Sequence, residues 1–348
     1  QYHPFSENNE WWGKGFTEWR NVVKAKPLYR GHYQPHLPAD LGFYDLRVPE
    51  VREQQAEMAK TYGISGFCYY HYWFNGHQLM QRPLKEVLSS GKPDFPFMLC
   101  WANENWTRAW DGGSRNVLIA QNYSKEDDRA HIRYLLSNVF NDSRYIKVDG
   151  KPVFLIYRSM LFPNMKETIK IWREEAIHSG IELYLCRVET VDCYGEEYLR
   201  DGFDAAIEFQ PFTHQLDAFQ KKSNPLRKFA YNLNRHLFNR CKKRIVDYSE
   251  YVNYVSKIPF PDYKMYPGVT PMWDNTSRRK KKMFIMDGST PEKYGEWLHS
   301  VVDKFVPFSK DENFIFINAW NEWAEGNHLE PDLKWGLKYL EETRKALR

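Results

Sequence analysis

The sequence contains no run of about 18 apolar residues, so no membrane-spanning helix is expected. Cysteine is scarce. The five present, Cys68, Cys100, Cys186, Cys193 and Cys241, form no CxxC pair. An odd count without close spacing argues against a zinc site and for a reducing compartment. Cys68, Cys100 and Cys186 sit in apolar runs and read as buried thiols. GxGxxG, DxD and HExxH motifs and a serine elbow are all missing, and so are internal repeats. These absences remove the usual marks of dinucleotide binding, sugar-nucleotide transfer, zinc hydrolysis and acyl transfer. A strong charge of one sign is lacking too. The net charge of +4 is too mild to imply nucleic acid. The chain opens on Gln1-Tyr2-His3-Pro4, with no Met and no signal-peptide pattern. A cytoplasmic location is the expectation, with a periplasmic or secreted one left open by that start.

What the sequence has in excess is aromatic side chains: 13 Trp, 23 Tyr and 22 Phe, 17% together. Trp and Tyr combine flat apolar faces with a polar edge, which suits stacking on sugar rings, although a large core also consumes them. Residues 1–45 form a long polar-aromatic segment rich in Pro and Gly, and long irregular segments in compact domains are functional or disordered.

After it, helices and strands alternate. Helices are predicted over Pro49–Tyr62, Pro83–Ser90, Ser124–Phe140, Met165–Ser179, Thr290–Phe305 and Lys334–Ala346. Strands are predicted over Ile64–Tyr70, Phe95–Cys100, Pro152–Tyr157, Ile181–Cys186, Ala205–Phe209, Tyr266–Met272 and Phe314–Ile317. Continuous apolar strands separated by helices mean a parallel sheet covered on both faces. The fold expected is α/β, a (β/α)8 TIM-type barrel forming a single catalytic domain over 1–348. Seven strands are found where such a barrel needs eight, so the first is expected to lie before residue 1. Residues 213–262 interrupt the alternation and read as a helical insertion, with a solvated basic face over the stretch NPLRKFAYNLNRHLFNRCKKR. Arg278–Lys282 reads as a solvated basic loop.

Active sites of such barrels lie at the C-terminal ends of the strands. The residues placed there are His71, Tyr72 and Trp73, then Asn103, Glu104, Asn105 and Trp106, then Arg158, Glu189 and Gln210. Trp273, Asp274 and Asn275 follow, and last Trp320, Asn321, Glu322 and Glu325. The set is aromatic, amide and carboxylate. Amides and carboxylates bond hydroxyl groups and aromatics cover C–H faces, so an oligo- or polysaccharide is the expected partner. No cofactor and no metal are expected. Glycosyl chemistry needs two carboxyl groups, one protonated and one ionised. Glu322 and Glu325 are three apart on a turn and can approach each other. Glu104 and Glu189 are rival candidates. An isolated ExxE is ordinarily a solvated or salt-bridged pair, and the aromatic neighbours weigh against that here.

The segments WWGKGFTEW, GHYQPHLPADLGFYD, GFCYYHYWF, CWANENWTRAWDG, PMWDNTSRR and NAWNEWAEGNHLEP resemble the WbsX-like family. The resemblance covers nearly the whole chain. Members occur with bacterial surface-polysaccharide genes and are often called glycosyltransferases. The family in turn resembles the endo-α-mannosidases and endo-α-mannanases of glycoside hydrolase family 99, which are retaining (β/α)8 barrels. Their catalytic segment has the form NEWHEGxxxE. Asn321, Glu322, Trp323, Glu325, Gly326 and Glu330 match it, with Ala324 in place of the His. The resemblance implies Glu322 as the base for a sugar 2-hydroxyl, whose oxygen attacks C1 to give a 1,2-anhydro sugar. It implies Glu325 as the acid that protonates the leaving oxygen and then activates water or an acceptor. Trp273 to Thr276 is similar to a substrate-contacting DxT turn of those enzymes.

Overall fold

The computed structural model describes residues 3–108, 113–222 and 243–348. Six strands pair in parallel and in chain order. They are β1 Phe67–Phe74, β2 Phe97–Trp101, β3 Lys151–Ile156, β4 Tyr184–Glu189, β5 Ala205–Glu208 and β6 Met265–Tyr266. The register sets Tyr70 opposite Cys100, Cys100 opposite Leu155, Leu155 opposite Cys186 and Cys186 opposite Ala205. Pro267 follows β6. A proline cannot donate to a ladder, and beyond it the chain pairs on its other side: Gly268–Val269 lies parallel to Phe316–Ile317. These ladders occupy the seven predicted strand positions.

The result is a mixed α/β fold with a large parallel sheet. Among the described residues the hydrogen-bonded ring does not close. On its other edge β1 pairs, among these residues, only through Tyr72–Phe74, antiparallel to His77–Leu79. Phe67–Tyr70 and the segment Phe314–Trp320 line one cavity, where the Phe67 and Trp320 rings meet at 5.2 Å. Cys68, which was expected to be buried, shares the face of Tyr70 and Tyr72 and is exposed to this cavity. Cys100 and Cys186, on interior strands, are buried as expected.

Helices cover the sheet. Their starts follow from side-chain caps that satisfy otherwise unpaired N–H groups. Ser124 accepts from Asp127 N at 3.1 Å, Asn164 from Glu167 N at 3.1 Å and Thr290 from Lys293 N at 3.3 Å. Lys125–Asn138 and Met165–His178 bury Leu135, Leu136, Ile169 and Trp172 against Leu99, Phe154 and Leu185. A second core joins Tyr294, Trp297 and Leu298 of Pro291–Lys304 to Tyr339 and Leu340 of the closing helix Lys338–Ala346.

The interval 213–262 is helical only in part. It begins with the helix His214–Lys222 and resumes with a strand, Lys243–Asp247, parallel to Met283–Asp287. The helix Tyr248–Val255 follows, and its Tyr248, Tyr251 and Val252 are buried in the second core. Most of the basic stretch, residues 223–242, lies outside the described residues.

One glycine is required by close approach. A Cβ on Gly268 would lie 2.3 Å from the Glu208 carbonyl oxygen, so only glycine lets the chain cross the end of β5 there.

Candidate active site

A cavity of about 1740 Å³ runs along the seam between β1 and Phe314–Trp320, from Gly63–Phe67 to the C-terminal strand ends where Glu104, Arg158 and Glu208 stand. The Glu322–Glu325 turn stands at its wall. Asn321–Glu322 and Asn327–His328 form a short antiparallel pair, joined by a 3₁₀ turn over Trp323–Glu325. Gly326 closes the turn at φ +52°, and a Cβ there would come 2.7 Å from the Asp274 carbonyl oxygen. Glycine therefore allows both the left-handed backbone and the packing of the turn on Asp274.

Arg278 organises the carboxylates. Its guanidinium lies 2.8 Å from Glu322 Oε1 and 3.0 Å from Glu325 Oε1. It also donates twice to Glu18, from Nε at 2.8 Å and Nη2 at 2.5 Å. One cation thus faces three carboxyl groups, and a site so arranged holds protons more readily than an isolated carboxylate. Burial, against the pull of Arg278, pushes Glu18 up to about 7. Burial also raises Glu325; Arg278 opposes this and the Glu322 carboxylate adds to it. Beneath the turn, Glu330 accepts from Gln55 at 2.6 Å and from Tyr44 and Trp323 at 2.7 Å each.

The strand ends bring only some of the expected residues to the cavity. Tyr72, Glu104, Arg158, Trp273, Asn275, Trp320 and Asn321 line it together with Glu322 and Glu325. Arg158 pairs with Glu104 at 3.1 Å and lies 4.6 Å over the Tyr157 ring. Asn321 donates to Tyr44 Oη at 3.0 Å.

Others face elsewhere. His71 and Trp73 alternate with Tyr70 and Tyr72 along β1, and successive strand side chains point to opposite faces. They pack on the helix side, where His71 Nε2 lies 2.9 Å from His131 Nε2 and Trp73 stacks on His131 at 4.6 Å. Asn103 is buried; its side-chain amide accepts from Arg158 N at 2.8 Å and donates to the Arg158 carbonyl at 2.9 Å, which fixes the neighbouring strand end. Asn105 accepts from Gln121 N at 2.7 Å, and Trp106 packs edge-on against Tyr72 at 5.1 Å. Glu189 is buried under Arg187, Gly195 and Tyr263. Gln210 is held by Tyr251 and Gln215. Asp274 turns toward the N-terminal loop, accepting from Gln34 at 2.8 Å and lying 2.6 Å from His32 Nε2. Burial opposes its ionisation, but the bonds from His32 and Thr276 hold its carboxyl below the usual range.

Sequence reasoning passed over Glu18, Arg278, Tyr70, Tyr157 and Glu208. Glu208 ends β5, lines the cavity and accepts from Gly268 N at 3.0 Å; burial pushes it up to about 7. Its signal was available, as a carboxylate closing an apolar strand. Arg278 had none: its basic neighbours pointed to solvent, whereas its side chain is only 9% exposed.

Comparison with known proteins sets this geometry in context. Two solved structures share the fold. One is the family 99 endo-α-mannosidase of Bacteroides thetaiotaomicron, 16% identical, with a TM-score of 0.54 over 92% of this chain and 89% of that one. The other is described as a glycoside hydrolase-like protein, 13% identical, with a TM-score of 0.58 over 96% and 99% of the two chains. Proteins called WxcX from two strains of Xanthomonas campestris pv. campestris are 41% identical over 352 residues. The match takes in 100% of this chain and 48% of theirs, so the chain spans about half the length of these relatives. Residues 1–343 match the family described as Glycosyltransferase WbsX, and the chain belongs to the WbsX family.

Proposed function

We propose that the protein is a retaining glycoside hydrolase-type enzyme that cuts a bacterial surface or capsular polysaccharide within the chain. The observation that carries this reading is the pairing of Glu322 and Glu325 on one turn, on one arginine, at the wall of an aromatic-lined cavity. At the strand ends the cavity is lined by Tyr72, Trp273 and Trp320, and aromatic faces suit contact with sugar rings. The sheet is proposed to follow the (β/α)8 plan, with an eighth strand position in the seam between Phe316–Ile317 and β1.

In the proposed reaction Glu322 takes the proton of the sugar 2-hydroxyl. That oxygen attacks C1 as the C1–O bond to the leaving sugar breaks, and Glu325 gives its proton to the departing oxygen. Glu325 then takes a proton from water, the water oxygen attacks C1, the C1–O2 bond opens and Glu322 returns its proton to O2. Two inversions leave the anomeric configuration retained. Glu325 is suited to the acid role because burial keeps its proton on to higher pH than usual.

A donor lacking the 2-hydroxyl, or carrying an acetamido group there, is expected to be inert, and the product anomer to be retained in NMR time courses. Turnover of a 2-deoxy donor at the parent rate would overturn this route. The family's description favours a second reading, transfer to a sugar acceptor in surface-polysaccharide (O-antigen) synthesis. The first half-reaction would be the same, and mass spectrometry of products with and without acceptor separates the two. A barrel that binds glycans without turnover would show saturable binding and no product.

A further inference from the structure

Away from the cavity, the loop Tyr33–Ala39 runs beside Glu330–Leu333. Backbone bonds join them: Ala39 N to the Pro331 carbonyl at 2.9 Å and Leu333 N to the Leu37 carbonyl at 2.9 Å. Three buried side chains meet at this seam: His36, His328 and Asp332, exposed by 5%, 1% and 2%. Their donor atoms lie within 4.8 Å of one another.

Hydrogen bonding settles where the imidazole protons are. His36 Nε2 lies 3.2 Å from the Tyr33 carbonyl oxygen, and His328 Nδ1 lies 2.9 Å from the Glu330 carbonyl oxygen. A carbonyl oxygen can only accept, so each of these nitrogens carries its ring's proton. The other two nitrogens, His36 Nδ1 and His328 Nε2, are left with lone pairs, and they face each other at 3.0 Å. Two lone pairs at that distance repel unless a positive centre lies between them. A proton would serve the pair of nitrogens but would make a buried imidazolium, which is costly. It would also leave Asp332 Oδ2 at 3.9 Å from His328 Nε2. A cation bound by all three groups answers every one of these features.

We propose that His36 Nδ1, His328 Nε2 and an Asp332 carboxylate oxygen form a structural site for a divalent transition-metal ion of the zinc class. Two imidazoles and one carboxylate are a borderline donor set suited to such ions rather than to calcium or magnesium. Bonds of about 2.0–2.1 Å in a tetrahedron would space the ring nitrogens about 3.3 Å apart, a small opening from 3.0 Å. The supporting bonds are already made. Metal-bound histidines donate their other N–H to a carbonyl or carboxylate, as both do here. Asp332 is oriented in turn by Tyr33 Oη at 3.2 Å and by the backbone N–H groups of Lys334 and Trp335 at 3.1 and 2.6 Å. The cysteine pattern argued against zinc, but this donor set needs no sulfur. The ion would clamp the loop whose His32 and Gln34 hold Asp274 to the hairpin that ends at His328. His328 also stacks on Trp323 at 3.8 Å, so the clamp reaches the turn carrying the two glutamates without entering the cavity.

The test does not depend on any assay of activity. The wild-type protein, stripped with a chelator and dialysed, is titrated with Zn²⁺, and metal content and thermal midpoint are followed. About one equivalent is expected to bind, with a rise of several degrees in the midpoint that the chelator reverses. H36Q and D332N are expected to lose the bound equivalent and the shift. Crystals of the wild type grown with Zn²⁺ should show an anomalous peak between His36 Nδ1 and His328 Nε2, a readout that stands even where a variant fails to fold. No bound zinc and no shift in the wild type would overturn the proposal. So would an anomalous peak elsewhere, or full binding by H36Q.

Discussion

The parallel ladder β1–β5 and the segment from Met265 to His328 treat buried polar groups in opposite ways. In the ladder, strands of four to eight residues bury Leu99, Phe154, Ile156 and Leu185 beneath helices. Polar side chains at its ends are tied to the backbone of the neighbouring strand end, as Asn103 is to Arg158. In the later segment the strands shrink to two residues at Gly268–Val269, Trp273–Asp274, Phe316–Ile317 and Asn321–Glu322. The charged groups beside them are held by residues far away in sequence: Asp274 by His32 and Gln34, Glu330 by Tyr44, and Arg278 by Glu18. The first region spends its length on apolar burial. Burial raises three acids to about 7: Glu208 at the end of β5, and Glu18 and Glu330 beside the turn that carries Glu322 and Glu325. Glu18, Glu325 and Glu330 gather around one turn, and perturbed acids gathered in one place are the physical mark of a working site.

One pair of substitutions should break this division if it is false. E322Q is expected to lower turnover by roughly 10³-fold, in line with loss of a general base, while the melting curve stays near that of the wild type. W172A removes a fully buried indole from the ladder's helix layer and should cost about 3–5 kcal/mol in denaturant unfolding. Its turnover per folded molecule should be unchanged. A stable but inactive W172A, or an unfolded E322Q, would erase the contrast.

Arg278 belongs to both descriptions. R278M leaves the fully buried Glu18 without its cation, and breaking a buried pair in this way costs roughly 3–5 kcal/mol at neutral pH. Because Arg278 lowers the Glu325 pKa, its loss should raise it, and the alkaline limb of the rate profile should move to higher pH. A limb that stays in place would separate Arg278 from the acid.

A smaller effect is expected at Glu208. Its folded pKa is about 7, above the ordinary 4.5, so the folded state holds the proton more tightly than the unfolded one. Its contribution is fully present at low pH and is lost as pH rises from the ordinary value through 7. E208Q removes that dependence. Between pH 5 and pH 8 the variant should gain stability relative to the wild type by up to about 3 kcal/mol, read from unfolding midpoints. Parallel curves would mean that Glu208 titrates normally.

The two regions also differ in how far the sequence reveals them. The seven strand positions were legible because continuous apolar runs between capped helices are local patterns. The carboxylate pair was legible because its members lie on one turn. The facing of β1 was not. In FCYYHYWF nearly every residue is aromatic, so a period of two marks two faces without saying which is inside, and His71 and Trp73 turned outward. The contacts of Arg278 with Glu18 and of His36 with His328 span 260 and 292 residues, and no local periodicity encodes them.

The central claim is that Glu325 gives the proton to the leaving sugar while Glu322 works on the 2-hydroxyl. It is tested most directly by the leaving-group dependence of E325Q. Turnover is measured for the variant and the wild type on a cleaved polysaccharide and on an aryl glycoside of the same sugar whose phenol leaves without protonation. E325Q should lose roughly 10³-fold on the polysaccharide and keep formation of the intermediate from the aryl glycoside near the wild-type rate, whereas E322Q should fail on both. Equal loss by E325Q on the two substrates, or no loss on either, would contradict the assignment.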